Sequence, residues 1–446
     1  MDSYPRILTK NWETPNSRTL AEAKKAGQYS VLEKCLKMDR QAIKQEVLDS
    51  GLRGRGGAGF PAGRKWMFVP DVEKRQGKPV YLICNADESE PGTFKDRYCM
   101  WHDPHMLIEG MIIAAYALEC KTAYIYLRGE FKYIQDRVDE AIEEAKAAGL
   151  LGKNILGTGF DFELYTHQGA GAYICGEETA LISSIEGERG QPRLKPPFPA
   201  VEGAWGCPTV VNNVETLAVV PWVMAHGAKA YAAIGTEKAA GTKLFSVSGH
   251  VMKPGVYEVP MGVPMTTLIN DICGGLKPGR TLKAVIPGGS SVPVMTPEEV
   301  GKATMDYESI QEVSGSYLGS GGVIVMDDTT DMVSALSNLL RFYAHESCGQ
   351  CTPCREGVGW MSQILIRLDK GGATEEDIET LLDLANNIHS KTICFFGASA
   401  AMPVQSFLQK FKPEFLAKIE AAKANIVPEV VSTTNSEATG SSAGAK

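Results

Sequence analysis

The run Val80-Tyr81-Leu82-Ile83-Cys84-Asn85-Ala86-Asp87-Glu88-Ser89-Glu90-Pro91-Gly92-Thr93 passes from apolar side chains to a polar, acidic segment broken by Pro91 and Gly92. Continuous apolar character bounded by turn residues marks a buried strand that runs into a loop. Further on, Met106 to Leu118 carries the apolar spacing of a helix, Ala123 to Leu127 that of a strand, and Ile134 to Ala148 that of a second helix. Strands alternating with helices imply a parallel sheet in an α/β fold. Such sheets present their ligand-binding loops at the carboxyl ends of the strands, so the segment after Cys84 is a candidate site.

Asp87, Glu88 and Glu90 cluster in that segment. A solvated acidic turn would need no ligand. If a nucleotide binds there, carboxylates accept hydrogen bonds from ribose hydroxyls and repel an added 2′-phosphate, which favours NADH over NADPH. Upstream, a helical pattern over Gln41 to Ser50 leads into Gly51-Leu52-Arg53-Gly54-Arg55-Gly56-Gly57-Ala58-Gly59-Phe60, too rich in glycine for helix or strand. Gly54, Gly56 and Gly59 satisfy G-x-G-x-x-G, yet a helix precedes them where a dinucleotide-binding fingerprint needs a strand. A flexible turn is the plain alternative. Arg55 and Lys65 add positive charge beside bare backbone that a phosphate or flat ring can approach closely.

Tyr173-Ile174-Cys175-Gly176-Glu177-Glu178-Thr179 opens a helix predicted over Ile174 to Ile185, with two acids that suit the macrodipole. Those acids would repel a phosphate, so a cofactor there presents a ring, a ribose or a carboxamide. Asn212, Asn213 and Thr216 form a less acidic helix start, suited to phosphate or flavin edges and equally to simple capping. Phe60, Phe68 and Phe198 could stack on adenine or nicotinamide, although burial in a core is the commoner fate of phenylalanine.

The texture changes near Gly241. Lys243 to Gly249 and Gly255 to Val259 alternate like short strands, followed by a short helix at Thr267 to Ile272 and strands at Lys283 to Pro287 and Gly322 to Met326. This α+β unit resembles ubiquitin-like SLBB domains. From Asp331 the pattern is helical, with helices expected at Met332 to Ala344, Gly357 to Leu368, Glu375 to Ile388 and Pro403 to Phe411. The expected division is 1–240, 241–330, 331–425 and a disordered tail over 426–446, too poor in apolar residues to offset its ordering entropy.

Cys348-Gly349-Gln350-Cys351-Thr352-Pro353-Cys354 places three thiols two residues apart on one expected loop, and Cys394 follows after two expected helices. Such a loop can wrap three corners of a cubane while a distant cysteine closes the fourth. Structural zinc also takes four thiolates, but prefers paired C-x-x-C motifs, so the three-plus-one spacing leans towards iron and sulfur. The other seven of the 11 cysteines have no such spacing.

At 446 residues the chain exceeds one ordinary core, and its 44% hydrophobic and 22% charged composition is that of a globular protein. No apolar run approaches bilayer-spanning length. A net charge of −8 offers no general field for nucleic acid. The first residues lack the apolar core of a secretory signal, so a cytosolic setting with reduced thiols is expected.

Taken in order, the Gly54–Gly59 loop, the Asn85–Gly92 loop, the Tyr173–Thr179 helix start, Asn212-Asn213 and the cysteine set resemble the NADH-binding flavoprotein subunit of complex I. The resemblance covers the chain from about its second helix to Phe411. It implies a Rossmann-like flavin domain, a ubiquitin-like insert and a helical cluster domain. It implies FMN contacted by Gly54, Arg55, Gly56, Gly57, Lys65, Asn85, Asp87, Tyr173, Gly176, Glu177, Asn212, Asn213 and Thr216. NADH, the substrate, would meet the glycine-rich loop including Ala58 and Gly59, together with Glu88, Glu90, Glu178, Phe60, Phe68 and Phe198. Glu90 and Glu178 would orient the reacting ribose and carboxamide. A [4Fe-4S] cluster would sit on Cys348, Cys351, Cys354 and Cys394. The implied partners are other peripheral-arm subunits, chiefly a small thioredoxin-like [2Fe-2S] subunit and a large multi-cluster subunit, on the inner face of the cytoplasmic membrane without insertion into it. The diaphorase subunit of an NAD-linked hydrogenase or formate dehydrogenase shares these motifs, though often with further ferredoxin-like cysteines that are absent here. A scaffold holding a structural cluster or zinc without flavin is the non-catalytic alternative.

Overall fold

The computed structural model describes residues 4–425, so the tail expected over 426–446 lies outside the described residues. Two four-stranded sheets and a set of C-terminal helices build the fold. The first sheet contains β1 (Val80–Ala86), β2 (Cys120–Leu127), β3 (Glu163–Gln168) and β4 (Thr209–Asn213), all parallel, in the order β3-β2-β1-β4. Its strands β1 and β4 are largely buried, as a parallel sheet requires, while the edge strand β3 is mostly half-buried or exposed. The order reverses between β1 and β4, where Asn85 pairs with Asn213. This is the topological switch point at which doubly wound sheets leave a crevice for ligands. Behind it the helix Pro104–Leu118 packs on the helix Val214–His226, and Gly110 lets them touch because any Cβ there would strike the Leu217 carbonyl.

The second sheet comprises β5 (Thr242–Gly249), β6 (Gly255–Pro260), β7 (Leu282–Ile286) and β8 (Gly322–Asp327) in the order β6-β5-β8-β7. The inner pair β5 and β8 is parallel, and both outer pairs are antiparallel. This sheet is sewn to the first domain: Ser290 N–H donates to Pro91 O at 3.1 Å and Phe94 N–H to Ser246 Oγ at 2.9 Å. On the far side, the backbone amides of Ile7, Leu8 and Thr9 all donate to the Glu258 carboxylate at 2.8–3.1 Å. Four helices, Met332–Glu346, Thr352–Asp369, Glu375–Ile388 and Phe396–Asn425, complete the described chain.

Several elements differ from expectation. β3 and β4 are strands that the sequence pattern does not announce; β4 ends in Asn212-Asn213, polar residues that hide a strand terminus. The helix expected from Ile174 is a short 3-10 turn, Tyr173–Gly176, followed by a helix at Glu178–Ile185. Glu177 interrupts the two because its carboxylate accepts from the Thr179 and Ala180 amides as an N-cap. The turn at Thr267–Ile272 is π-helical, and the last helix begins at Phe396 and continues through Pro403 and Pro413 with non-helical geometry at Phe411.

Candidate functional site

A cavity of about 620 Å³ opens at the switch point. Gly56, Gly57 and Ala58 form one wall, the β1 loop from Asn85 to Glu90 another, and Tyr173, Gly176, Glu177 and Asn213 a third. Bare backbone makes this closeness possible. Gly57 takes φ 132, and a Cβ on Gly56 would lie 3.1 Å from Asn213 Cβ. Gly59 takes φ 64 with the Tyr307 ring 2.6 Å from where a Cβ would be. Asn85 ties two walls together, its amide donating to Gly176 O at 2.8 Å while its Oδ1 accepts from Asp87 N–H at 3.1 Å.

Arg55 does not bring its charge to this cavity. Its side chain is fully buried and turned away, donating to Tyr231 Oη at 3.0 Å, Ala240 O at 2.7 Å and Thr242 O at 3.0 Å. Its amide is held by Thr216 Oγ1 at 2.9 Å, so both residues shape the loop from behind. Asn212 likewise faces inward, its Oδ1 accepting from Trp66 Nε1 at 2.8 Å. Gly54 is occupied by backbone pairing with Phe60 and by the Tyr307 hydroxyl at 3.1 Å. Lys65 is engaged by Glu178 at 2.7 Å, and Lys195 reaches Glu178 at 2.8 Å and Glu177 at 3.1 Å. Phe60, Phe68 and Phe198 lie outside the cavity lining, 44, 53 and 58% exposed, with the first two rings 5.9 Å apart. Aromatic rings left in water are a different environment from the core that phenylalanine usually occupies.

Charge is arranged unevenly around the cavity. Burial pushes Asp87 up to about 7 and raises Glu88 and Glu90, against the pull of their hydrogen-bond donors. At Glu178, which lies outside the cavity lining, burial works the same way, but the ammonium groups of Lys65 and Lys195 outweigh it and hold the carboxyl at about 2. Beneath the glycine loop lies a buried ionic set that sequence reasoning missed. Lys95 pairs with Asp96 at 2.7 Å and Glu215 at 2.8 Å, and Lys243 approaches Glu215 at 3.3 Å. Lys95 and Asp96 also line the cavity. The second sheet's domain adds Gly288, Ser291, Tyr307 and Gly319-Ser320 to the lining, residues with no motif to announce them.

Phe395 and Phe396, directly after Cys394, line the same cavity. Tyr173 meets Phe396 edge-on at 5.7 Å and Phe342 at 5.3 Å. Cys348 lies in the loop after the helix Met332–Glu346, and Cys351 is the N-cap of the helix Thr352–Asp369. Cys354 stands inside that helix, a correction to the single loop expected, because Pro353 is favoured in a first helical turn and starts the helix early. Cys354 is buried and the other three are half-buried. Burial raises Cys394 to about 12 against the pull of the Phe396 amide, with Glu177, Cys348 and Cys354 adding to the rise. Among the described residues no three His, Cys, Asp or Glu side chains gather as a site for a single metal ion.

Residues 47–222 match the Nuo51 FMN-binding domain, 243–325 the SLBB domain, and 334–418 the NADH-ubiquinone oxidoreductase-F iron-sulfur binding region. The chain is 49% identical over 416 residues to the F subunit of NADH-quinone oxidoreductase of Rickettsia bellii (strain OSU 85-389), covering 93% of this chain and 99% of the relative. It is 50% identical over 418 residues to the F 2 subunit of NADH-quinone oxidoreductase of Rhizobium meliloti (strain 1021), covering 94% and 98%. Among solved structures, NAD+-reducing [NiFe]-hydrogenase in the H2-reduced state is similar with a TM-score of 0.81 and 38% identity, over 93% of this chain and 67% of that one.

Proposed function

The chain belongs to the family of NADH-quinone oxidoreductase F subunits, and from that premise we propose how its residues carry out NADH oxidation. FMN and a [4Fe-4S] cluster are its cofactors, and the observation that carries the reading is the glycine-walled cavity at the switch point sharing the Cys394–Phe396 segment with the cysteine set. The residues present fit both groups. A cavity of about 620 Å³ is of cofactor size, Gly56, Gly57 and Gly176 leave room for a flat ring, and four thiols in three-plus-one spacing match a cubane's donors.

Bound FMN supplies acceptance of hydride and release of its electrons singly, and the cluster supplies their one-electron carriage onward. The protein's own part is positioning. Gly56, Gly57, Asn85, Asp87, Gly176, Glu177 and Asn213 would hold the flavin from three walls, while Gly54, Arg55, Lys65, Asn212 and Thr216 fix the loops and helix start behind them. Glu88 is spent on its own loop, accepting from Asp96 N–H and Arg97 Nε at 2.7 Å each, and so stiffens the wall beside Glu90. Glu90, in the cavity lining, and Glu178, held by Lys65 and Lys195 outside it, would orient the nicotinamide ribose and carboxamide of NADH. The exposed Phe60, Phe68 and Phe198 offer faces for the adenine end. Cys348, Cys351, Cys354 and Cys394 would hold the cluster as its four thiolate ligands.

As part of a multisubunit oxidoreductase, the chain passes its electrons to partners; we assign these as a small [2Fe-2S] subunit and a large multi-cluster subunit, with quinone as the final acceptor. A peripheral position on the cytoplasmic face of the membrane complex belongs to the same proposal. No helix among the described residues is long and apolar enough to cross a membrane. The hydrogenase structure fits the diaphorase reading only as a related fold. The test is the absorbance spectrum of the anaerobically purified protein with its partners, before and after NADH. A bleached flavin band and a lowered iron-sulfur shoulder are expected; fully loaded protein that carries no flavin and ignores NADH would replace this reading with the scaffold.

A further inference from the structure

Glu90 sits on the β1 loop, yet two of its carboxylate's partners come from the other sheet's domain. Its Oε1 accepts from Ser291 N–H at 2.7 Å and from the Ser290 hydroxyl at 3.4 Å, while Oε2 accepts from the Tyr173 hydroxyl at 2.6 Å. Ser290 and Ser291 belong to the turn Gly288-Gly289-Ser290-Ser291 that follows β7. That turn is moulded to the carboxylate. Gly289 takes φ 93, and a Cβ there would stand 2.5 Å from Glu90 Cγ. Gly289 N–H donates to Gly322 O at 2.7 Å, anchoring the turn to β8, and Ser290 N–H donates to Pro91 O, the residue next to Glu90, at 3.1 Å. The Ser290 hydroxyl also shares a 2.8 Å hydrogen bond with the Tyr343 hydroxyl on the helix Met332–Glu346. All three parts of the fold therefore meet at one carboxylate that lines the cavity.

We propose that the Gly288–Ser291 turn is a positioning element for NADH oxidation, which holds the Glu90 carboxylate aimed into the cavity and so makes the SLBB domain a participant in substrate binding. The inference rests on the reading that Glu90 faces the nicotinamide ribose. A carboxylate on a mobile chain would lose entropy each time it met the substrate; a carboxylate clamped by a backbone N–H and two hydroxyls has already lost it. Burial raises this carboxyl's pKa and the donors act against that rise, with the phenols of Tyr173 and Tyr343 as the titratable groups facing it.

The experiment uses the assembled, cofactor-loaded complex with Ser290→Ala, Ser290→Thr and Glu90→Ala, and the double variant Ser290→Ala/Glu90→Ala. Removing one donor to a charged acceptor is expected to lower kcat/KM for NADH about five- to tenfold. The loss appears mainly in KM, with a matching weakening of NAD+ binding by calorimetry. The acid limb of the kcat/KM profile moves to higher pH, since the charged form loses a donor. Ser290→Thr keeps the hydroxyl and stays near the wild-type value. In the Glu90→Ala background Ser290→Ala adds no further loss. Additive losses, or an acid limb that stays in place, overturn the proposal. Hydrogen exchange reads the clamp from the other side: Glu90→Ala should speed exchange of the Ser291 amide, and unchanged protection also overturns it. A wild-type flavin that NADH fails to bleach would sink the function itself, whereas bleaching with additive variants sinks only the turn's role.

Discussion

Glu215→Gln probes the buried ionic set under the glycine loop. Glu215 is fully buried, 2.8 Å from Lys95 and 3.3 Å from Lys243, and it accepts from Leu244 N–H at 2.9 Å. It thereby joins the first turn of the helix Val214–His226 to β5 and to a lysine of the cavity wall. At an effective dielectric of about 20, unit charges at these distances attract by about 5–6 kcal/mol each, before the cost of stripping water from them. Breaking a buried pair by removing one partner costs about 3–5 kcal/mol net. Glutamine can still accept from Leu244, and Lys95 keeps Asp96, so a loss of about 3 kcal/mol is expected.

The loss should also depend on pH. Burial pulls Lys243 down to about 7, against the attraction of Glu215, whereas an unfolded lysine titrates at about 10.4. Between these values the unfolded chain binds more protons than the folded one, so stability rises with pH through that window. Without Glu215 the folded value falls further and the window opens at lower pH. The deficit of Glu215→Gln against wild type is therefore larger at pH 6 than at pH 9, where Lys243 is neutral in both. Urea transitions followed by circular dichroism at the two pH values measure it. A deficit under about 0.5 kcal/mol at both, or one that grows with pH, would refute the reasoning.

Cys351→Ala should abolish the cluster's electron paramagnetic resonance signal; an unchanged spectrum would remove Cys351 from the ligand set. Glu90→Gln should relax discrimination against NADPH by deleting a repelling charge, read as the ratio of kcat/KM values for the two nucleotides, and an unaltered ratio would contradict that role. Gly59→Ala combines a left-handed φ of 64 with a Cβ 2.6 Å from the Tyr307 ring, so about 1–3 kcal/mol of stability and part of the bound FMN should be lost. Flavin content per chain after gel filtration would test this, and a full complement would show that the loop tolerates the side chain.

Strong local patterning is what makes an element readable from residue order. The apolar run at β1 and the helix Glu375–Ile388 stand where the sequence predicts them because burial or amphipathic spacing marks them without help from the rest of the chain. β4 does not, since the Asn212-Asn213 pair at its end carries the signature of a helix cap and serves as both strand terminus and cap. The cysteine spacing is legible because cluster chemistry needs that donor set. The side-chain directions are not. Arg55 reads as a phosphate-binding cation beside glycines, yet folding buries it against carbonyls of residues far along the chain.

Residue order alone thus establishes the alternating α/β plan, the chemical inventory of glycines, carboxylates and thiols, and the family to which they belong. Those are properties of local pattern and of residue type, which survive without knowledge of contacts. Folding in three dimensions adds what no local pattern holds: the ubiquitin-like domain walls the cavity, Ser290 and Ser291 grip Glu90 from some 200 positions away, and Glu215 and Lys243 balance one another out of water. Each depends on which side chains meet across domains, and the free energy of a hydrogen bond or buried charge is set by that meeting rather than by the residue that bears it.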